Sequence, residues 1–205
     1  MPFYRSVVLP RLIHSAMRQD HLVPYRHRLV ATASGTVLEV GIGSGLNLPH
    51  YPAATSRIIG LDPAPKLLAR ARHLASSAAR PVDFVEGSAE AIPLDSASVD
   101  TVVTSWTLCS VSDVAAALAE MQRVLRPGGA LVFVEHGRAP DARVVGWQNR
   151  LTPVWKRIAG GCHLNRPIDT LVESAGFVIE RLDTGYAEGP RPMAFMYEGR
   201  AVRRG

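Results

Sequence analysis

The stretch LEVGIGSGLNLP, residues 38–49, sets three glycines at alternate positions, with Glu39 two places before the first. Gly41, Gly43 and Gly45 free the backbone to turn sharply and to approach a ligand with no Cβ in the way. A dinucleotide fingerprint reads G-x-G-x-x-G. Here the third glycine comes one residue early, and position 46 is leucine. A pyrophosphate favours free N–H donors, so a nearby carboxylate points instead to a cationic ligand or one with ammonium and hydroxyl groups. Asp62 closes the next apolar run, where a carboxylate accepts hydrogen bonds from both ribose hydroxyls. Together these residues select a nucleoside that carries positive charge and no phosphate.

S-adenosylmethionine has that chemistry: adenosine, a sulfonium and an amino-acid tail. Alone, Asp62 also reads as a helix-start carboxylate near a macrodipole; the conjunction with the glycines favours the ligand. Other residues could act on a second substrate. His136 ends an apolar run, as a base or acceptor-orienting group, or as a structural histidine bonded to a carbonyl or to Glu135. His163 follows Cys162, but two neighbouring ligands without further Cys or His at set spacing do not make a metal site, so no metal is expected. Cys162 and Cys109 read as small buried residues, with Cys109 bordering the pocket. Trp106, Trp147 and Trp155 either line an apolar acceptor pocket or pack as core, the latter favoured for Trp147 and Trp155.

The elements that must hold these residues follow from patterning. Residues 3–31 have apolar positions near helical spacing, broken by Pro10 and Pro24. Strands are expected at 36–40, 57–62, 82–87, 99–105 and 130–136, and helices at 66–78, 113–125 and 166–176. Asp62 and Ala64 each precede a proline and are biased to extended geometry. RPGG, 126–129, stops the second of these helices with a tight turn. Residues 137–163 form a long insertion, and two further strands, 177–185 and 192–201, close the chain. Alternating strands and helices imply an α/β fold with a mostly parallel sheet covered on both faces. The last two strands lack a helix between them, so one runs antiparallel. Residues 1–34 are read as an amino-terminal helical segment able to cap the site, and 35–205 as one domain.

Beyond the glycine loop, EGSAEAIPLDSASVDTVV and VLRPGG follow at the expected distances. The chain resembles class I S-adenosylmethionine-dependent methyltransferases over roughly residues 35–198, with a Rossmann-like seven-stranded sheet. The resemblance implies that Glu39, Gly41, Gly43 and Gly45, with Asn47, line the methionine portion of the cofactor. It implies that Asp62, next to Pro63, holds the ribose, and that Gly87, Ser88, Ala89 and Glu90 border the adenine. Thr104, Ser105 and Trp106 would follow the fourth strand beside the cofactor, which leaves as S-adenosylhomocysteine. LEVGIGSGLNLPHYP is similar to bacterial enzymes of phospholipid or quinone methylation. TLCSV (107–111), EH (135–136) and WQNRLTPVWKRIAGGCHLNR (147–166) resemble the vertebrate alkyl thiol methyltransferases, the methyltransferase-like seven family. The implied acceptor pocket comprises Trp106, Cys109, His136, Trp147, His163 and, by analogy with the fold, Tyr186, with Arg191 near its mouth.

The expected reaction is methyl transfer to a small lipophilic acceptor, a thiol first. Alternatives are a phospholipid or quinone methyltransferase at the membrane surface and a cofactor-binding module without catalysis. A dehydrogenase is disfavoured by the early Gly45. The 205 residues suffice for one domain. No apolar run reaches the ~20 residues of a membrane span, and the start is a poor signal peptide. The vertebrate relatives carry a hydrophobic amino-terminal anchor, whereas this chain starts with a basic, proline-interrupted segment. Of the net charge of +5, +4 resides in residues 1–34. It is read as a solvated face or as attraction to an anionic membrane or an acidic substrate; nucleic acid is not an expected partner. Two cysteines suggest no disulfide framework, so the expected location is cytoplasmic, free or peripheral to the membrane. The sequence leaves the oligomeric state open.

Overall fold

The computed structural model describes residues 4, 8–76 and 80–203. The expected helices at 3–31 and 66–78 extend in part onto residues 3, 5–7, 77 and 78, which lie outside the described residues. Two short helices open the chain, α1 (Leu9–Met17) and α2 (Val23–Val30). Then come β1 (Gly35–Val40), β2 (Thr55–Asp62), α3 (Pro65–Ala75), β3 (Val82–Glu86), β4 (Val99–Ser105), α4 (Val114–Val124) and β5 (Leu125–His136). The rest comprises α5 (Ala142–Ile158), α6 (Ile168–Ser174), β6 (Phe177–Tyr186), α7 (Arg191–Ala194) and β7 (Phe195–Arg203).

The seven strands form one sheet in the order β3-β2-β1-β4-β5-β7-β6. All are parallel except β7, which pairs antiparallel with β5 and β6. This meets the expectation of one antiparallel member in the closing pair. Because parallel strands are covered on both faces, they read as continuous apolar runs. Adjacent residues point to opposite sides of the sheet: Leu38 and Val102 pack with Leu118, Met121 and Phe133, whereas Val37 and Val103 pack with Leu29, Val30 and Leu68. Chain order reverses between β1 and β4, and the crevice at their carboxyl ends is where such sheets bind ligands.

Element boundaries depart from the sequence reading in three places. The expected tight turn at 126–129 lies inside β5 as a bulge: Val99 pairs with Leu125 and Thr101 with Ala130, so four residues loop out. Gly128, at φ +78°, supplies the left-handed conformation this needs. The insertion is dominated by the 17-residue helix α5, with Pro153 inside it. A mid-helix proline removes a backbone donor, and this position argues locally against a helix. Tertiary bonds override it: the buried Gln148 side chain accepts from Ala139 N–H and donates to the carbonyls of Gly137 and Pro192. Finally, the strand expected from 192 begins at Phe195, because Arg191–Ala194 forms one helical turn.

Of the amino-terminal helices, α2 packs on the sheet through Leu29 and Val30, and α1 lies against α3. Arg28 of α2 makes a bidentate ion pair with the buried Glu198 of β7. No helix among the described residues is long and apolar enough to cross a membrane.

Two glycines test this packing with opposite signs. A Cβ on Gly199 of β7 would lie 2.4 Å from Phe133 Cζ and 2.9 Å from the Arg181 carbonyl oxygen, whereas one on Gly146 of α5 meets nothing within 4 Å. Gly199→Ala is expected to destabilise the fold by ~1–3 kcal/mol through overpacking. Gly146→Ala should stabilise it by ~0.5–1 kcal/mol through helix propensity. Denaturant unfolding of both variants checks the pair.

Candidate active site

The site is assembled on the carboxyl ends of five neighbouring strands, β3, β2, β1, β4 and β5. After β1 the chain turns at Gly41 (φ +73°) and Gly43 (φ +56°). The Gly41 and Ile42 N–H groups both donate to the Leu61 carbonyl of β2, which folds the loop back over the sheet edge. A Cβ on Gly41 would sit 2.1 Å from Thr107 Oγ1, so glycine is obligatory there. A Cβ on Gly43 would have only the Gly41 carbonyl, at 3.9 Å, as neighbour: this backbone stands bare. Asp62, at the tip of β2, is 6% exposed. Its Oδ2 accepts from Gly43 N–H at 2.9 Å and its Oδ1 from Ala64 N–H at 2.8 Å. Burial raises its pKa, and the two N–H donors oppose the rise.

Beneath the loop lies a second carboxylate. Glu39 is 1% exposed. Asn47 Nδ2 donates to its Oε1 and Tyr51 OH to its Oε2, each at 2.8 Å. Arg26 of α2 supplies the nearest opposite charge: it donates to Asn47 Oδ1 and to the Met17 carbonyl, and its guanidinium lies 4.9 Å from the centre of the Trp106 ring. Burial pushes the Glu39 carboxyl up to about 7, against the Tyr51 and Asn47 bonds and the Arg26 charge.

The ends of β4 and β5 form the other half. Trp106 sits at φ +50°, a strained conformation for so large a residue. It is held there by its N–H bond to the Val134 carbonyl. Glu135 of β5, fully buried, accepts the N–H groups of Thr107 and Leu108 through Oε1, and burial pushes it up to about 8. This clamp sets the turn that carries Cys109. Arg166 braces the same turn by donating to the carbonyls of Leu108 and Val111. At the end of β5, His136 Nε2 lies 3.0 Å from Cys162 Sγ, and Trp155 Nε1 donates to that sulfur at 3.2 Å.

These halves open into one cavity of about 710 Å³, within the usual range for small-ligand sites. Of the residues expected at the cofactor, Gly41, Gly43, Asn47, Asp62, Pro63, Gly87, Ser88, Ala89, Glu90, Ser105 and Trp106 line it. Glu39, Gly45 and Thr104 do not. Glu39 has both oxygens engaged by protein, a Cβ on Gly45 would press on Leu48 and Ala71, and Thr104 is fully buried in the sheet. Of the expected acceptor pocket, Trp106, Cys109 and His136 line the cavity. Trp147 is half-exposed on α5 beside Arg150, Tyr186 bonds Asp141 at the surface, and His163 turns its backbone N–H and its ring toward the Cys109 carbonyl. The sequence reading set aside Trp155 and Cys162, and both line the cavity, as do Leu9, Ile13 and Met17 of α1. Cys162 carried a signal in its pairing with His163; the fold uses the cysteine and turns the histidine away.

A glycine loop after β1, an acid ending β2 and a seven-stranded sheet with an antiparallel penultimate strand define the class I methyltransferase fold. Residues 38–133 match the methyltransferase domain family. Thiol S-methyltransferase TMT1B of Homo sapiens is 39% identical over 187 residues, covering 86% of this chain and 74% of that protein. TMT1B of Rattus norvegicus is 38% identical over 151 residues, 69% of this chain and 59% of that protein. Among solved structures, the putative methyltransferase complexed with the Haloferax volcanii Trm112 activator superposes with a TM-score of 0.73 at 18% identity, covering 98% of this chain and 96% of that one. The chain therefore belongs to the methyltransferase family that includes human TMT1B. It spans less than two thirds of the rat relative's length.

The buried Glu39 makes stability depend on pH. Its folded pKa lies above the usual carboxylate value, so the folded state holds a proton the unfolded chain releases. Its contribution is full below about pH 4.5 and is lost as pH rises through about 7. Glu39→Gln keeps the shape and the bond from Asn47, and its amide N–H donates to the Tyr51 oxygen in place of the present bond. Between pH 5 and 7.5 the wild type should lose on the order of 1–3 kcal/mol more stability than this variant, as measured by urea unfolding at a series of pH values.

Proposed function

We propose that the chain transfers the methyl group of S-adenosylmethionine to a small lipophilic thiol. The observation that carries this reading is the composition of one cavity wall. Trp106, Trp155 and Met193 present apolar surface, and Cys109, His136 and Cys162 converge among them. The human and rat relatives are named thiol S-methyltransferases.

The bare Gly41–Gly43 backbone and the cavity-facing Asp62 suit the cofactor: close approach at the first, ribose hydroxyls at the second. Gly87, Ser88, Ala89 and Glu90 border its adenine, and Asn47, Ser105 and Trp106 its amino-acid side. Glu39 acts from below by fixing Asn47. When bound, the cofactor supplies an electrophilic methyl on a sulfonium that leaves as a neutral thioether. Positive charge fades as the methyl moves, so the residues' task is to position the acceptor and exclude water. β2 and β5 lie three strand spacings apart, about 14 Å at ~4.8 Å each. A nucleoside anchored at Asp62 thus directs its reactive end toward His136. A thiol reacts as thiolate, and His136 with its two sulfur neighbours is where the acceptor loses its proton. The side chains of Leu9, Ile13 and Met17 make α1 a cap over the cavity. Two free cysteines beside one another suit a reducing compartment, the cytoplasm.

The test offers labelled cofactor together with alkyl and aryl thiols, a phospholipid amine and a quinol. A labelled methyl thioether is expected; no thioether, with label on the amine or quinol, overturns the acceptor class. Asp62→Ala should weaken cofactor binding by ~1–3 kcal/mol in calorimetric titration, and unchanged affinity would refute the ribose assignment. One observation favours the membrane-surface reading as second. A groove beside the cavity, lined by Met17, Leu46, Pro49 and Leu74, is edged by Arg18, Arg70 and His73. Cosedimentation with anionic but not neutral liposomes would support it.

A further inference from the structure

Cys109, His136 and Cys162 come from three separate elements: the turn after β4, the end of β5 and the loop after α5. Their Sγ, Nε2 and Sγ atoms nevertheless all lie within 4.8 Å of one another, and all three residues open on the cavity. Packing alone does not require this. Small apolar residues would fill the same space without turning an imidazole and two thiols toward one another. Two thiols and an imidazole are the borderline-soft donor set that selects a zinc-class cation over magnesium or calcium. In a tetrahedral site with Zn–S of ~2.3 Å and Zn–N of ~2.0–2.1 Å, neighbouring ligand atoms stand roughly 3.5–3.8 Å apart. The trio reaches that spacing with shifts of about 1 Å or less. Three protein ligands with one position open is the catalytic, not the structural, pattern.

The surroundings hold these atoms as ligands are held. Trp155 Nε1 donates to Cys162 Sγ, and Ser110 Oγ lies 3.3 Å from Cys109 Sγ. The Cys109 turn is fixed from two sides by Glu135 and Arg166. Such supporting bonds orient metal ligands and tune their donor strength.

We propose that Cys109, His136 and Cys162 bind a divalent cation of the zinc class, and that its fourth position faces the cavity and takes the acceptor thiol as thiolate. This rests on the thiol reading above and gives the acceptor wall its chemistry. The thiol releases its proton to solvent as its sulfur binds the cation. A sulfur lone pair then forms the new S–C bond, the methyl–sulfonium bond breaks, and its electron pair stays on the departing thioether. The methylated product, an uncharged and poorer ligand, leaves the cation free. His136 is then a ligand rather than a proton acceptor.

The experiment titrates the full chain, reduced and freed of metal by a chelator, with Zn²⁺ and with Co²⁺ as spectroscopic probe. Stoichiometric binding is expected, with thiolate-to-cobalt charge transfer and tetrahedral d–d bands that shift when an alkyl thiol is added. Cys109→Ser and Cys162→Ser should each abolish this binding while cofactor affinity, read by titration, shows that they fold. Trp155→Phe keeps all three ligands and should weaken Zn²⁺ binding by about tenfold. A reduced chain that binds the cofactor but takes up neither metal stoichiometrically overturns the proposal, as does a cobalt spectrum unmoved by thiol. Undiminished thiol methylation by the metal-free chain overturns it and leaves the thiol reading standing. A cobalt site that forms and binds thiol in a chain that methylates none supports the cation site and refutes the thiol reading.

Discussion

A carboxylate buried under a glycine loop governs the architecture of this site. Glu39 is in the sheet interior, where an ion is expensive unless its neighbours compensate it. Asn47 and Tyr51 occupy its two oxygens, and Arg26 reaches in from α2 to bond Asn47. Those demands fix the return of the loop after β1, the position of the following 3-10 turn at Leu48–His50, and the docking of the amino-terminal helices. Asn47 also donates to Ser105, so the ends of β1 and β4 are tied across the point where strand order reverses.

Around that anchor, the strand ends divide the work by position. β1 and β2 provide bare backbone and an acid. β4 and β5 provide strain, sulfur and imidazole. Trp106 keeps its left-handed backbone because Val134 holds its N–H while Arg26 covers its ring. Strain of this kind persists only where surrounding bonds over-determine it. The same stretch delivers Cys109 to His136, which makes the geometry of the turn after β4 a condition of their meeting at the cavity wall.

Much of this was legible in the chain. Continuous apolar runs marked the parallel strands, since both faces of each are covered, and the lack of a crossover-length helix between the last two strands marked the antiparallel member. Helical spacing marked α4, which Asp113 caps by accepting from Ala116 N–H. Other features were not legible. Pro153 argued against a helix that Gln148 anchors from outside. Glu39 looked like a ligand contact from its place beside the glycines, yet a strand residue's side is decided by the alternation of the whole sheet, and its side is the interior. Trp147 and Trp155 share one helix, and only packing sends the second to the cavity and leaves the first at the surface.

By itself the sequence determined the sheet, the crevice and the kind of ligand that fits it. These depend on local conformational freedom at glycine, on apolar runs and on an acid at a strand end, all of which act over a few residues. Only the tertiary structure decided which reactive side chains meet. Cys109, His136 and Cys162 are brought together by strand order, by a bent-back turn and by a helix docked through one buried glutamine. Their proximity is a property of packing between distant segments, and no spacing along the chain encodes it.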